Sequence, residues 1–247
     1  MAFRSLSLLG GRVDAVGQPE VVRIVRQTLE RGRFLQIITV NLLMLREAQN
    51  DGELRGVFSS AVLALPDSVG IRALAALKGL PLPERIPGID LLKTLCAEAG
   101  EKGWSIFLIG AKPGVADKAA KNLRAEFPRL NVAGAAHGYL TGEQEAALLK
   151  EIGQKKPGLV FVALQIPQQE KWIAKNLSAF KGLCAMGVGG SFDVLSGNLK
   201  RAPLWLRKSG LEWLFRLAQE PWRWQRMASL PFILVRGALA PSSISER

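Results

Sequence analysis

The sequence predicts an α/β fold of the Rossmann-like kind: a mostly parallel sheet with helices on both faces, followed by a basic C-terminal helical appendage. Three observations carry this. Short apolar runs alternate with segments of helical period along most of the chain; each strand-length run is separated from the next by a helix-length one; and composition turns basic and tryptophan-rich after Asn198. The expected strands are Phe34–Asn41, Ala61–Pro66, Trp104–Gly110, Asn131–Ala136, Gly158–Leu164 and Cys184–Val188. The expected helices are Val21–Glu30, Val69–Lys78, Leu91–Glu101, Val115–Glu126, Glu143–Lys155 and Gln169–Phe180. Strand–helix alternation at this spacing gives a parallel sheet covered on both faces. Right-handed crossovers then bring the strand C-termini to one edge, where open α/β sheets bind ligands. The expected division is an α/β core over residues 1–198 and a basic, Trp-rich appendage over 199–247.

With 247 residues, 48% hydrophobic and 22% charged, the chain can bury a core, and wholesale disorder is excluded. One His and two Cys exclude a disulfide scaffold and argue against a His/Cys zinc site. A Ser-His-Asp mechanism would have to use His137. No uncharged stretch approaches the roughly 20 residues of a membrane-spanning helix. The short apolar patch Leu6–Leu9 has no cleavage-site pattern, so a protein of the cytosolic side is expected.

The formal charge of +12 points to an anionic partner. Half of that excess lies after Leu199, where nine Lys/Arg face three acids. Four of the six Trp, Trp205, Trp213, Trp222 and Trp224, lie in the same stretch. Interleaved Trp and Arg suit a membrane interface, because indoles sit at headgroup depth and guanidinium pairs with lipid phosphate. A core helix with a solvated basic face, or a nucleic-acid surface, could use the same residues. The uncharged run Met227–Val235 beside the arginines favours an anionic lipid surface, and no nucleic-acid partner is expected.

Polar groups collect at the expected strand ends. Thr39 and Asn41 point to one side of an extended chain, either to cap the next helix or to face the crevice. Asp67 follows the second strand and can be a turn residue, an N-cap or a general base. Gly110-Ala111-Lys112-Pro113-Gly114 precedes a helix whose free N–H groups could receive phosphate, although it matches neither G-x-G-x-x-G nor a P-loop. Arg85, in a Pro-interrupted loop, suits bidentate phosphate binding or an ion pair with Glu84 or Asp90. His137-Gly138-Tyr139 follows a further strand, and Gly138 permits close backbone approach. Pro167-Gln168-Gln169-Glu170 places amides at the crevice mouth. No D-x-D carboxylate pair is present for a nucleotide-bound metal, so no metal or other cofactor is expected.

Taken in order, Thr39-x-Asn41, Asp67, Arg85-x-x-Gly88-x-Asp90, Gly110-x-Lys112-Pro113-Gly114, His137-Gly138-Tyr139, Pro167-x-Gln169-Glu170, Gly187 to Asp193, Arg201-Ala202-Pro203, Gly210 to Leu217 and Glu220-Pro221-x-Arg223-x-x-Arg226 resemble the WecG/TagA/CpsF family of bacterial glycosyltransferases. The resemblance implies an inverting, metal-independent transfer from a UDP-sugar to a polyprenyl-diphosphate-linked acceptor in surface-polymer synthesis. It implies Asp67 as base with Thr39 and Asn41 beside it, and donor contacts from Arg85 and Gln169. Gly110, Lys112, Gly138, Tyr139 and Asp193 complete the expected substrate-binding set. Arg216, Arg223 and Arg226 are implied to meet the lipid diphosphate at the membrane. A peripheral, self-associating protein on the inner face of the plasma membrane is implied as well. Two residues depart from the family pattern: Ser68 where Gly is usual, and Gln165 near a usual Gly. A nicotinamide-dependent oxidoreductase is disfavoured, since Thr39 to Asn50 holds no Gly. A non-catalytic basic module leaves the strand-end cluster without a purpose.

Overall fold

Six short strands, all but the edge strand Asn131–Ala136 largely buried, pair in parallel in a computed structural model, which describes residues 3–246 apart from 62, 81 and 179. Val62 and Ala179, within an expected strand and an expected helix, lie outside the described residues. An antiparallel hairpin of β1 (Arg4–Leu8) and β2 (Gly11–Asp14) opens the chain, turning on Leu9 and Gly10, both at positive φ. Helix α1 (Gln18–Glu30) leads to β3 (Leu35–Val40), α2 (Leu42–Asn50), α3 (Gly52–Ser60), β4 (Leu63–Pro66) and α4 (Val69–Leu77). After a loop come α5 (Gly88–Lys102), β5 (Ser105–Gly110), α6 (Val115–Glu126), β6 (Asn131–Ala136), α7 (Gly142–Lys155) and β7 (Leu159–Ala163). Helix α8 (Gln168–Leu177), β8 (Cys184–Gly187) and α9 (Ser191–Leu195) complete the α/β portion.

The parallel sheet runs β4-β3-β8-β7-β5-β6. Alternate strand residues enter opposite faces, as the two-residue period of a strand requires. On one face Leu35, Ile37, Leu63, Ile106, Phe161 and Met186 meet α1, α5 and α6. On the other, Ile38 and Val40 meet α2, α3 and α4, while Phe107, Val160 and Ala185 meet α7 and α8. Strand order reverses at β3, which has β4 on one side and β8 on the other. The C-terminal ends of β4, β3 and β8 therefore flank the position where such sheets form a ligand crevice.

The segment after Asn198 divides in two. Helices α10 (Leu204–Lys208), α11 (Glu212–Gln219) and α12 (Trp224–Met227) contain no buried residue, and a 3-10 turn at Pro221–Arg223 separates the last two. Pro221, which has no N–H to continue the helix, starts that turn. Trp205, Trp222 and Phe232 are 66%, 68% and 67% exposed. By contrast α13 (Leu230–Leu239) packs on α2 and α4, with Ile233 only 2% exposed and Gly237 against the Leu74 side chain. The expectation that Met227–Val235 as a whole faces lipid is corrected at Ile233, which a one-turn apolar contact draws into the core. Strand β9 (Ser243–Glu246) then pairs antiparallel with β1, tying the two ends of the chain together. Ile233→Ala should lower unfolding stability by about 2–5 kcal/mol, the usual cost of such a core truncation. Denaturant melts of the two proteins measure it, and an unchanged midpoint would mean that α13 is not docked.

Candidate active site

Asp67 stands where β4 ends, and its backbone N–H continues the sheet pairing by donating to the Val40 carbonyl at 3.0 Å. It is not the cap of the following helix. That task falls to Ser68, whose hydroxyl accepts from the Ile71 N–H, so Ser68 has a local structural reason of its own. The Asp67 Oδ1 instead accepts from the Gly88 N–H at 2.8 Å, at the start of α5. Gly88 lies against Thr39: a Cβ there would sit 3.4 Å from the Thr39 Cγ2. The fold thus brings Asp67 and Thr39 together around one glycine. Thr39 is buried and its hydroxyl donates to the Gly187 carbonyl at 3.0 Å, joining β3 to β8. Asn41 caps α2, its Oδ1 accepting from the Met44 N–H at 3.0 Å. Burial raises the Asp67 pKa above the ordinary carboxylate value, against the lowering effects of the Gly88 N–H and the Arg85 charge. Glu212 adds to the rise, and Arg216 opposes it.

A belt of ion pairs fastens the C-terminal helices over this edge. Arg85 pairs with neither Glu84 nor Asp90. Its Nη2 meets Glu212 of α11 at 3.2 Å, while Asp90 accepts both ends of the Arg201 guanidinium at 2.6 and 2.7 Å. Arg201 also approaches Glu212 at 3.5 Å. About two turns further, the Glu220 carboxylate gathers Arg216 at 2.9 Å and Arg223 at 2.8 Å. Arg216 reaches across to donate to the Gly190 carbonyl at 3.1 Å. Arg226 approaches the Gln165 Oε1 at 3.5 Å, so the bulkier residue at that position meets the appendage. Asp193, half-buried, has its pKa raised first by burial; Arg216, Lys112 and Arg223 pull it down and Glu220 pushes it up.

The model of the glycosyl transferase WecG/TagA/CpsF family matches residues 6–243. The chain belongs to that family. It is 40% identical over 195 residues, 79% of this chain and 75% of the relative, to the N-acetylglucosaminyldiphosphoundecaprenol N-acetyl-beta-D-mannosaminyltransferase of Bacillus subtilis. The protein of that same description from Bacillus spizizenii is 38% identical over 203 residues, 82% of this chain and 78% of the relative. This WecG/TagA/CpsF protein is a glycosyltransferase.

The remaining expected residues of this glycosyltransferase lie further along the same edge. Gln169 is fully buried, with both ends of its amide engaged: Oε1 accepts from the Gly189 N–H at 2.9 Å and Nε2 donates to Glu170 at 2.6 Å. Gly110 has φ +125°, and a Cβ there would collide with the Ala163 backbone. Gly138 abuts Gly110, donating its N–H to the Ala111 carbonyl at 2.9 Å, while Lys112 is exposed beside them. Tyr139 is exposed after β6, the far edge strand, where its N–H donates to His137. With about 4.8 Å between neighbouring strands, the five spacings from β4 to β6 span about 24 Å. Tyr139 is thus not part of the Asp67 cluster. Among the described residues no group of three or more His, Cys, Asp or Glu could hold a metal ion. Sequence reasoning missed the two acids that organise the arginines, Glu212 and Glu220. Both stood inside quoted motifs, and their spacing from Arg216, four residues on either side, was the available signal. No described helix is long and apolar enough to cross a membrane.

Proposed function

We propose that the protein transfers an N-acetylmannosamine-type sugar from a UDP-sugar to a polyprenyl-diphosphate-linked acceptor, with inversion and without a metal, at the inner face of the bacterial plasma membrane. The observation that carries this is the pairing of one base candidate, Asp67, with an arginine belt at the same sheet edge. The activity of the two Bacillus relatives supplies the sugar classes.

Inversion needs one base and no covalent nucleophile. Asp67 takes the proton of the acceptor hydroxyl as its oxygen attacks the anomeric carbon. The bond from that carbon to the diphosphate oxygen breaks, and its electron pair leaves with UDP. The leaving diphosphate then needs oriented positive charge in a water-poor cleft. Arg85 is on hand, and phosphate oxygens match the geometry that the Glu212 carboxylate now gives it. Arg216 and Arg223, held by Glu220, take the acceptor diphosphate, with Arg226 beside them. Residues 199–247 act as the membrane-associating appendage, 204–227 its working face and 230–246 its attachment. Self-association is included in this reading, and light scattering in solution measures it.

A panel of UDP-sugars with a short-chain lipid-diphosphate acceptor tests the reaction class. Turnover in excess EDTA should match turnover without it, while Arg85→Ala should weaken both UDP affinity and rate. Activity lost in EDTA and restored by Mg²⁺ or Mn²⁺ would remove the metal-independent mechanism. The anomeric configuration of the product, read by nuclear magnetic resonance, decides inversion against retention.

A further inference from the structure

The reaction just described makes no use of Glu170, yet few side chains are more completely enclosed. It is fully buried at the start of α8, against the end of β8. Gly187 provides the room: a Cβ there would come within 2.5 Å of the Gln169 Nε2 and 2.8 Å of the Glu170 Oε1. Glu170 Oε1 accepts from the Gln169 Nε2, and the Glu170 backbone carbonyl accepts from the Gln36 Nε2 of β3 at 2.9 Å. Its Oε2 has no hydrogen-bond partner among the described residues.

A line of contacts runs from this carboxyl into the site. Glu170 holds Gln169; Gln169 holds the Gly189 N–H; the Gly190 carbonyl next along holds Arg216; and the Gly187 carbonyl holds Thr39. The Gly187–Ser191 turn has no side chain of its own before Ser191 except Val188, so its position depends on these neighbours.

We propose that Glu170 is a positioning residue for sugar transfer, fixing the Gln169 amide and through it the glycine turn that seats Thr39 and Arg216. The inference rests on the proposed function, in which Arg216 takes the acceptor diphosphate and Thr39 stands beside the base Asp67. No ion pair to Glu170 is present among the described residues. From α8, Lys171 pairs with Asp51 and Glu53 instead; from α3, Arg55 donates to the Ala48 and Asn-flanking Gln49 carbonyls; β3 presents Gln36, and β7 and β8 carry only apolar residues, Gly187 and the Cys184 thiol. Burying a carboxylate without a cation is costly, so burial pushes its pKa up to about 7 and the group holds its proton below that pH. An ionised Glu170 has to draw in water or shift, taking Gln169 and the turn with it. A misplacement of about 1 Å can cost up to about a hundredfold in rate.

The test compares wild type, Glu170→Gln and Glu170→Ala for kcat and KM across pH, with a UDP-sugar and a short-chain lipid-diphosphate acceptor. Wild-type kcat/KM should fall as pH rises through about 7. Glu170→Gln, which keeps the acceptor oxygen and cannot ionise, should retain activity near pH 6 and lose that fall. Glu170→Ala should lose about tenfold or more, because Gln169 is released. Melting temperature offers a second readout. The raised pKa means the folded state holds the proton more tightly, so wild type should lose stability relative to Glu170→Gln as pH rises from about 4.5 to about 7. An unchanged alkaline fall in Glu170→Gln, or a Glu170→Ala enzyme equal to wild type, would overturn the role of Glu170 alone. If Glu170→Ala does not fold, the Glu170→Gln profile decides by itself. Absence of transfer by wild type with every UDP-sugar would overturn the functional reading, and this inference with it.

Discussion

An Asp67→Asn enzyme is expected to fold, to bind UDP as wild type does, and to lose about 10²–10⁴-fold in kcat, the usual worth of a positioned general base. Asparagine preserves the oxygen that accepts the Gly88 N–H, so α5 keeps its start and the loss is chemical rather than structural. The pH profile adds a second signature. Because burial raises the Asp67 pKa, the base is protonated up to a higher pH than an ordinary aspartate, and wild-type activity should climb as pH rises through that raised value. The residual activity of Asp67→Asn should lack this climb. Wild-type turnover in the variant would remove Asp67 from the mechanism.

The second large effect is on the membrane. Changing Arg216, Arg223 and Arg226 to Glu should weaken binding to anionic vesicles by at least about a hundredfold, since each cation near such a surface is worth about 1 kcal/mol. Arg216 and Arg223 share Glu220 and one of them holds Gly190, so reversing them also disturbs the glycine turn. Arg226→Glu alone is therefore the cleaner control, expected to cost about fivefold or more. Trp205, Trp222 and Trp224 stand exposed on the same appendage, and on the proposed reading they would add an apolar part to the binding that salt does not screen. Co-sedimentation that is equal for wild type and the triple variant would refute the membrane role of these arginines.

The sheet was legible because each of its strands is a short apolar run with a helix-period segment beside it. Asn131–Ala136 and Val115–Glu126 have the boundaries the pattern predicts, and the other strands and helices shift by a few residues at their ends. The small antiparallel sheet of β1, β2 and β9 was not legible. Its strands have only four or five residues, and Ser243–Glu246 is exposed throughout, so its pairing partner lies at the opposite end of the chain and leaves no local periodicity. Helix α3 was hidden by Gly52 and Gly56, poor helix formers whose cost is offset by the Asp51 cap and by packing against α2 and α8.

At the site, sequence order brought Asp67, Thr39 and Arg85 into view because each closes a strand or opens the loop that follows. The same order could not choose among their partners. Arg85 had two acids within five residues and takes a third, Glu212, more than a hundred residues away, because the appendage folds back over the sheet edge. Asn41 illustrates the converse, a crevice candidate whose oxygen is engaged by the local helix cap. Gln169 looks from the sequence like a ligand-facing amide, yet both its ends are engaged inside the protein, which sequence spacing alone could not reveal.

The central claim is the transfer itself, and it is tested most directly by incubating the protein with UDP-N-acetylmannosamine and a short-chain polyprenyl-diphosphate-linked N-acetylglucosamine. Mass spectrometry of the lipid should show an acceptor heavier by one N-acetylhexosamine, formed by wild type and at most in traces by Asp67→Asn. No product with this or any other UDP-sugar, or equal product from the Asp67→Asn enzyme, would contradict the account.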